Sequence, residues 1–377
     1  MGTSYRCEIF ETIDEVDHRE WNEVCHYAHN LYLNPQFLKA VEKSFAPEAK
    51  IWYAIYRDAG NQVVAATCFS RYYVDLAHMV AESSMLQKMI LGGRRFHSGF
   101  GKIRILLGGL PLTTSDHQLA IHPDADLNLL TASLSDTART LANESRCRLT
   151  AFKEFQPELT ERINGLTGNG YIKIRSQYVY QLSGNYDSFD EYLTSRRSGT
   201  RQSIRSSLKR FEKSGLTYEH LRGRDGVAEI FTEDVYRLYL NVFHRAKVRF
   251  ECIPRSFFQE LARQLPDDSC FTIIRQGEQI VGFCCGVAAG DQHSVMIVGR
   301  DDRVSREADL YFNLIYRGLD QALVPGIRTV LFGATSDQLK KRMGCEGTWL
   351  TAYSKAKRPL GTWLLKLATQ WMLHNED

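Results

Sequence analysis

The order helix, hairpin, strand, helix, strand occurs twice along this chain, and that repeat constrains the fold more than any single motif. In the first half, Asn34-Pro35-Gln36-Phe37 opens a helix with proline in the first turn, where its missing donor costs least. Strands over 51–57 and 62–71 flank the turn Asp58-Ala59-Gly60-Asn61 and read as a hairpin. A strand over 102–107 leads into Gly108-Gly109-Leu110-Pro111, followed by a helix over roughly 126–144 and a strand over 148–152. In the second half, Pro254-Arg255-Ser256-Phe257-Phe258 opens a helix, and strands over 270–275 and 279–288 flank Gln276-Gly277-Glu278. A strand over 293–300, a polar loop, a helix from Leu310 and a strand ending at Phe332 complete the second copy. The segments WYAIYRDAGNQVVAA and FTIIRQGEQIVGFC agree in residue type along most positions. The pattern is that of a structural duplication of mixed α/β units (α+β mixed sheets). Independent α/β domains that share this order without ancestry remain the alternative. Outside the repeat, a strand over 5–10 and a helical segment over 16–26 are expected. The stretch 72–100 mixes helical spacing with Gly92-Gly93 and is assigned to neither.

A chain of 377 residues exceeds one ordinary core, so two domains are expected. The division read from the sequence is 1–172, a crossover strand and basic helix over 173–215, and 216–377. With 44% hydrophobic and 24% charged residues, the composition is that of a globular protein, and no apolar run reaches bilayer-spanning length. The start MGTSYRCEIFET has no apolar signal core and lacks the Ser/Thr of a myristoylation signal. Nine cysteines form an odd set without a C-x-x-C pair, and Cys284-Cys285 lie inside an apolar strand. A reduced, cytoplasmic protein without a metal site is expected. Cys25, His26 and His29 are crowded on one short segment, a poor arrangement for a metal cage. The net charge of +3 is too small to argue for DNA or RNA by itself.

Its distribution says more. In SRRSGTRQSIRSSLKRFEKSG, Arg197, Arg201, Arg205, Lys209 and Lys213 recur every fourth residue, while Ile204, Leu208 and Phe211 occupy another face. An amphipathic helix with a basic stripe follows, started by Ser198 or Thr200 and stopped by Gly215. Such a stripe is either a solvated face or a rail for phosphates. The stretch 309–348 carries the second concentration of chemistry. Leu310, Leu314, Ile315, Leu319 and Leu323 recur at near-helical spacing, and Pro325-Gly326 ends that helix. Thr329-Val330-Leu331-Phe332 reads as a buried strand, and Ser336 or Asp337 is placed to cap the short helix that carries Lys340 and Lys341 to Gly344. A strand-to-helix junction with lysines one turn on suits a negative group, resident or developing.

These residues resemble the GNAT acyltransferase superfamily, in its double-domain branch of FemABX-type aminoacyl transferases and related N-acyltransferases. The resemblance rests on the duplicated unit, on the interdomain run Arg197, Gly199, Thr200, Arg201, Ile204 and Arg205, and on LYFNLIYRGLDQAL followed by a strand and Lys340-Lys341-Arg342-Met343-Gly344. It spans about 34–353. It implies two tandem GNAT-like domains joined by a basic helical segment, the second one catalytic. The loop 299–309 departs from the superfamily pattern: it keeps Gly299 but lacks the later glycines whose amides cradle a diphosphate. Arg300, Arg303 and Arg306 stand there among acidic residues.

The implied activity is N-acyl transfer to an amine of a small molecule or peptide, with acyl-CoA as co-substrate. An aminoacyl-tRNA ester is the alternative donor, with tRNA then a partner, and neither DNA nor membrane insertion is expected. Acyl transfer needs a polarised carbonyl, an oxyanion stabiliser and a proton acceptor. By the resemblance, Lys340 stands beside the reacting carbonyl, and strands over 294–299 and 329–332 splay to offer a backbone amide. Glu251, before a Pro-led helix, is the candidate base, with His244 as a rival. Tyr311 is the candidate proton donor to the leaving group. Arg197, Arg201, Arg205, Ser336 and Gly344 are the candidate donor or phosphate contacts. No Ser/His/Asp or Cys/His ordering suggests a covalent intermediate. A duplicated fold that only binds a ligand or protein is the rival of another class. Leu360, Trp363, Leu364, Leu367 and Trp371 predict an amphipathic helix in the tail.

Overall fold

The computed structural model describes residues 4–79, 85–97, 100–246, 251–304, 306–334 and 337–358, and its backbone follows the repeated order. One unit comprises the described residues of Met1–Gln177, Lys247–Cys252 and Trp349–Asp377. Here β1 (Arg6–Phe10), β2 (Lys50–Arg57) and β3 (Val63–Asp75) pair antiparallel in that order. β3 also pairs with β4 (Lys102–Gly108) and, near its start, with β5 (Leu119–Ile121). β4 runs parallel to β6 (Leu149–Phe155). Parallel neighbours need a crossover, and the helix Leu127–Glu144 supplies it, started by the Asp126 carboxylate on the amides of Asn128 and Leu129. Its Leu130, Leu134, Ala138 and Leu141 share a buried cluster with Tyr56, Phe69 and Phe152. Each leucine or phenylalanine buried there contributes about 1.5–3 kcal/mol.

The other unit comprises the described residues of Tyr178–Ala246 and Ile253–Thr348. β7 (Ile172–Ser183), β8 (Leu216–Arg222), β9 (Ser269–Gln276), β10 (Gln279–Ala289), β11 (Gln292–Arg300) and β12 (Thr329–Phe332) form its sheet in the order β7-β12-β11-β10-β9-β8. β11 and β12 are the parallel pair, as β4 and β6 are in the first unit, and the helix Leu310–Ala322 crosses between them. That helix rides close to the sheet at Gly318, where a Cβ would lie 2.7 Å from Cys284 Sγ. Leu314, Leu319 and Ala322 are fully buried beneath it. β13 (Glu346–Ala356) closes the described chain and pairs with β6 from Thr351↔Phe155 to Ala356↔Leu149. β7 and β13 contribute residues to both units.

The stretch 72–100 resolves into the end of β3 and the helices Leu76–Met79 and Met85–Gly93. β8 and the helix Glu233–Arg245 are additional to the elements read from the sequence. All nine cysteines are free thiols, and burial pushes that of Cys284 up to about 12. Among the described residues, no helix is long and apolar enough to cross a membrane. The tail expected to be helical lies outside the described residues.

Candidate functional site

The parallel ladder between β11 and β12 runs from Gln292↔Thr329 to Val295↔Phe332 and stops there. β12 ends at Phe332, whereas β11 continues to Arg300. The β12-facing edge of β11 beyond Val295 therefore has no strand partner among the described residues, leaving amides open to a substrate carbonyl. The helix Asp337–Met343 follows, anchored by buried Leu339 and Met343, and returns Lys340 to this point. Lys340 is only 3% exposed, and its ammonium donates to the carbonyl of Gly333. Its Nζ lies 5.5 Å from the Tyr180 ring centre and 6.0 Å from that of Phe332. Burial draws its pKa down to about 8, while Cys345 and Asp337 act in the opposite direction. Two aromatic faces and one carbonyl thus hold a cation that burial disfavours.

Gly344 ends this helix in the left-handed conformation, φ 85°. The Tyr192 hydroxyl donates to the carbonyl of Met343 at 2.8 Å, and Arg196 fills the space a Gly344 side chain would need. Gly344 is thus a helix-terminating residue under a guanidinium. Ser336 lies outside the described residues.

Past the end of β11 at Arg300, the helix Leu310–Ala322 begins at Asp309, itself left-handed with φ 50°. A cleft of about 460 Å³ opens there, lined in part by Arg245, Arg300, Asp301, Asp302, Arg306 and Tyr311. Most of its cations are engaged. Arg245 meets Asp302 at 2.7 Å, Arg300 meets the same carboxylate at 3.5 Å, and Arg303 meets Asp301 at 2.7 Å. Arg303 holds the Asp301 carboxyl below its ordinary range. Arg210 donates to Asp309 at 2.9 Å, placing an ion pair at the mouth of the helix. Tyr311 sits under the Arg300 guanidinium, 5.3 Å from its ring centre. A helix start occupied by a carboxylate is a poor seat for a diphosphate.

The basic segment forms the helix Ser198–Lys213, with Ile204, Ser207 and Phe211 buried. Arg201 is committed locally: it donates to the carbonyls of Thr194 and Arg196, both at 3.2 Å, and closes the helix Phe189–Ser195. Arg197, Arg205, Lys209 and Lys213 are exposed, with no ion pair among the described residues.

Glu251 belongs to the first unit. The backbone N–H and hydroxyl of Thr113 donate to its two carboxylate oxygens at 2.6 and 3.0 Å. Thr114 grips Glu154 the same way, its N–H at 3.0 Å and its hydroxyl closer. Lys153 lies 2.9 Å from Glu154 and donates to the carbonyl of Leu112 at 2.6 Å. Burial raises the pKa of Glu251, Lys153 and Thr113 oppose it, and the Glu154 charge adds to the rise. Burial also raises that of Glu154. Lys153 and Glu154 are absent from the sequence reading; the Lys-Glu pair closing a strand after a Gly-Gly turn was the available signal. His244 is exposed. His293 in β11 is also an addition: it is buried, burial lowers its pKa to about 3, and neither ring nitrogen has a hydrogen-bond partner among the described residues. Among the described residues no cluster of three or more metal-ligating side chains occurs.

The strand-and-helix order, run through twice with a parallel strand pair in each copy, is a tandem GNAT fold. The chain belongs to the FemAB-like family, described as peptidoglycan biosynthesis/recognition, which matches residues 12–354. Among solved structures it is similar to FemX, at 12% identity and TM-score 0.53, covering 93% of this chain and 97% of that one. A tandem GNAT protein from the clavulanic acid biosynthesis pathway matches at 11% identity and TM-score 0.52, covering 94% and 99%. The C-terminal domain of a putative lysylphosphatidylglycerol synthetase from Agrobacterium fabrum matches at 12% identity and TM-score 0.51, covering 93% and 94%. At these identities the likeness is one of fold. No curated protein matches the sequence. Family and fold together make the chain a transferase of the GNAT type.

Proposed function

We propose that the chain forms amide bonds, moving an acyl or aminoacyl group from an activated ester to an amine at the open end of the β11–β12 pair. The observation that carries this reading is the buried Lys340 ammonium at the point where the two strands part. A donor carbonyl seated against the free edge of β11 accepts from a backbone amide and lies beside Lys340. The amine attacks, the carbonyl oxygen gains negative charge, and the cation stabilises it in a site from which water is excluded. Collapse expels the donor's oxygen or sulfur, which takes a proton. Tyr311 is the residue proposed to supply it. Glu251, an acid whose proton affinity is raised, is proposed as the acceptor of the amine's proton.

The donor best supported is an aminoacyl-tRNA ester, because ion pairs occupy the start of the Leu310 helix where coenzyme A would place its diphosphate. Exposed Arg197, Arg205 and Lys209 suit phosphates spread along a backbone. Acyl-CoA is the second reading, favoured by the cleft beside Arg306. Arg201 and Gly344 serve the donor by shaping helix ends. The family's description points to a peptide amine as acceptor. Native mass spectrometry of the purified protein tests the reading. A tRNA or aminoacyl mass on the chain supports it, a coenzyme A mass supports the second donor, and a chain that retains neither and transfers neither contradicts both.

A further inference from the structure

The two copies of the repeat differ in how β3 connects to β4 and β10 to β11. β10 passes to β11 through Gly290 and Asp291 alone, whereas β3 reaches β4 only after residues 76–101. Within that insertion the helix Met85–Gly93 turns Ile90 inward, 5% exposed, and Gln87 donates to the carbonyl of Ala77 at 3.1 Å. Met85, Lys88 and Met89 share the outward face, as their i, i+3, i+4 spacing requires. Met85 is 80% exposed and Met89 62%. Phe96, just past the helix, is 93% exposed, and Leu91 and Phe100 are about half exposed. Apolar side chains of this size are seldom left in water together on a monomeric surface.

The sequence through this segment is basic. From residue 83 to 115 the sequence contains no Asp or Glu, but it contains Lys88, Arg94, Arg95, Lys102 and Arg104. Arg94 is tied to Asp75 and to the carbonyl of Phe100. Lys88 and Arg95 are exposed and make no ion pair among the described residues.

We infer that the outward face of the helix Met85–Gly93, with Arg95 and Phe96 just past it, is a docking surface for an anionic phospholipid bilayer. Methionine and phenylalanine side chains enter the headgroup boundary while lysine and arginine meet lipid phosphates. Lysine on the same face as the apolar anchors separates a lipid from a protein partner, because protein interface cores are depleted of lysine, whereas interfacial membrane helices are rich in it. The element lies on the bilayer and does not cross it. The inference stands whatever the donor.

Sedimentation of the purified full chain with vesicles tests it. Vesicles of phosphatidylglycerol and phosphatidylcholine are expected to bind the protein, and pure phosphatidylcholine vesicles to bind it at least tenfold more weakly. Lys88→Gln and Arg95→Gln should each weaken binding about fivefold, in keeping with about 1 kcal/mol per cation at an anionic surface. Met89→Glu and Phe96→Glu should abolish it, with unchanged thermal melting because both sites are exposed. Equal binding to both vesicle types, or binding indifferent to Met89→Glu and Phe96→Glu, overturns the inference. A dimer that Phe96→Glu converts to monomer, without vesicle binding by either, assigns the surface to a second copy of the chain and also overturns it.

Discussion

The ammonium of Lys340 donates to the carbonyl of Gly333, one residue beyond the last pair of the β11–β12 ladder. One contact therefore fixes a cation beside the only stretch of β11 whose β12-facing edge is unpaired among the described residues. The position is expensive, which makes it testable apart from any substrate.

Replacing Lys340 should stabilise the fold. The folded state lowers this pKa from 10.5 to about 8, so between those values the unfolded chain holds a proton that the folded one releases. Stability of the parent thus rises with pH across that window, and below about pH 8 the penalty is complete. Lys340→Met should gain about 1–3 kcal/mol at pH 7, with the gain fading above pH 8. Urea melts of both proteins at pH 7 and pH 10 measure this. A variant less stable at pH 7 would show that the aromatic and carbonyl contacts outweigh desolvation.

The exposed basic face should govern salt dependence. If the donor is a tRNA, its affinity falls steeply with salt, and Arg205→Ala or Lys209→Ala each reduce the slope of log K against log salt by about 1. Coenzyme A should show a shallow slope that neither substitution alters. Slopes unchanged by both variants with tRNA would leave the face a solvated one. Arg201→Ala should instead lower the melting temperature, because its donors close the helix Phe189–Ser195.

Glu251 carries a carboxyl whose pKa is raised in the folded state, by burial first. The protonated form is favoured on folding, so its contribution is present at low pH and is lost as pH rises through the folded value. Glu251→Gln should remove that loss: variant minus parent melting temperature should increase from pH 4 to pH 7. A difference that falls over the same range contradicts the assignment. Transfer activity intact in Glu251→Gln would remove it from proton transfer.

Gly344→Ala should cost about 1–3 kcal/mol, since its left-handed backbone disfavours a side chain and Arg196 occupies the space. Chemical denaturation reads this directly, and an unchanged midpoint would show that Arg196 moves aside freely.

Much of this fold was legible because strand and helix periods repeat in the same order twice. β2, β3, β9 and β10 carry apolar runs bounded by Gly-containing turns, and the crossover helices carry regular stripes. The helix Met85–Gly93 was not, because it keeps apolar residues on its outward face and so blurs the helical period. β8 escaped because it is an edge strand, largely polar and exposed, paired on one side to β9. At the site, the Lys340 position followed from motif and junction, but its burial did not. Tyr180 lies on β7, far away in sequence, and only the fold brings its ring to the ammonium. The engagement of Arg201 was hidden for a different reason: its partners, though close in sequence, are backbone carbonyls, which no residue type announces. Lys153 and Glu154 gain weight from Leu112 and Thr114, which the fold brings against them.

The pH–rate profile of amide formation, measured for the parent and Lys340→Met with aminoacyl-tRNA and a mixture of peptide amines, tests the central claim most directly. The account predicts parent turnover that declines as pH passes about 8, where Lys340 loses its charge, and a variant slower by about 10²–10³-fold at pH 7 with donor affinity retained. Turnover of Lys340→Met within twofold of the parent, or a parent rate that climbs through pH 8, would contradict it.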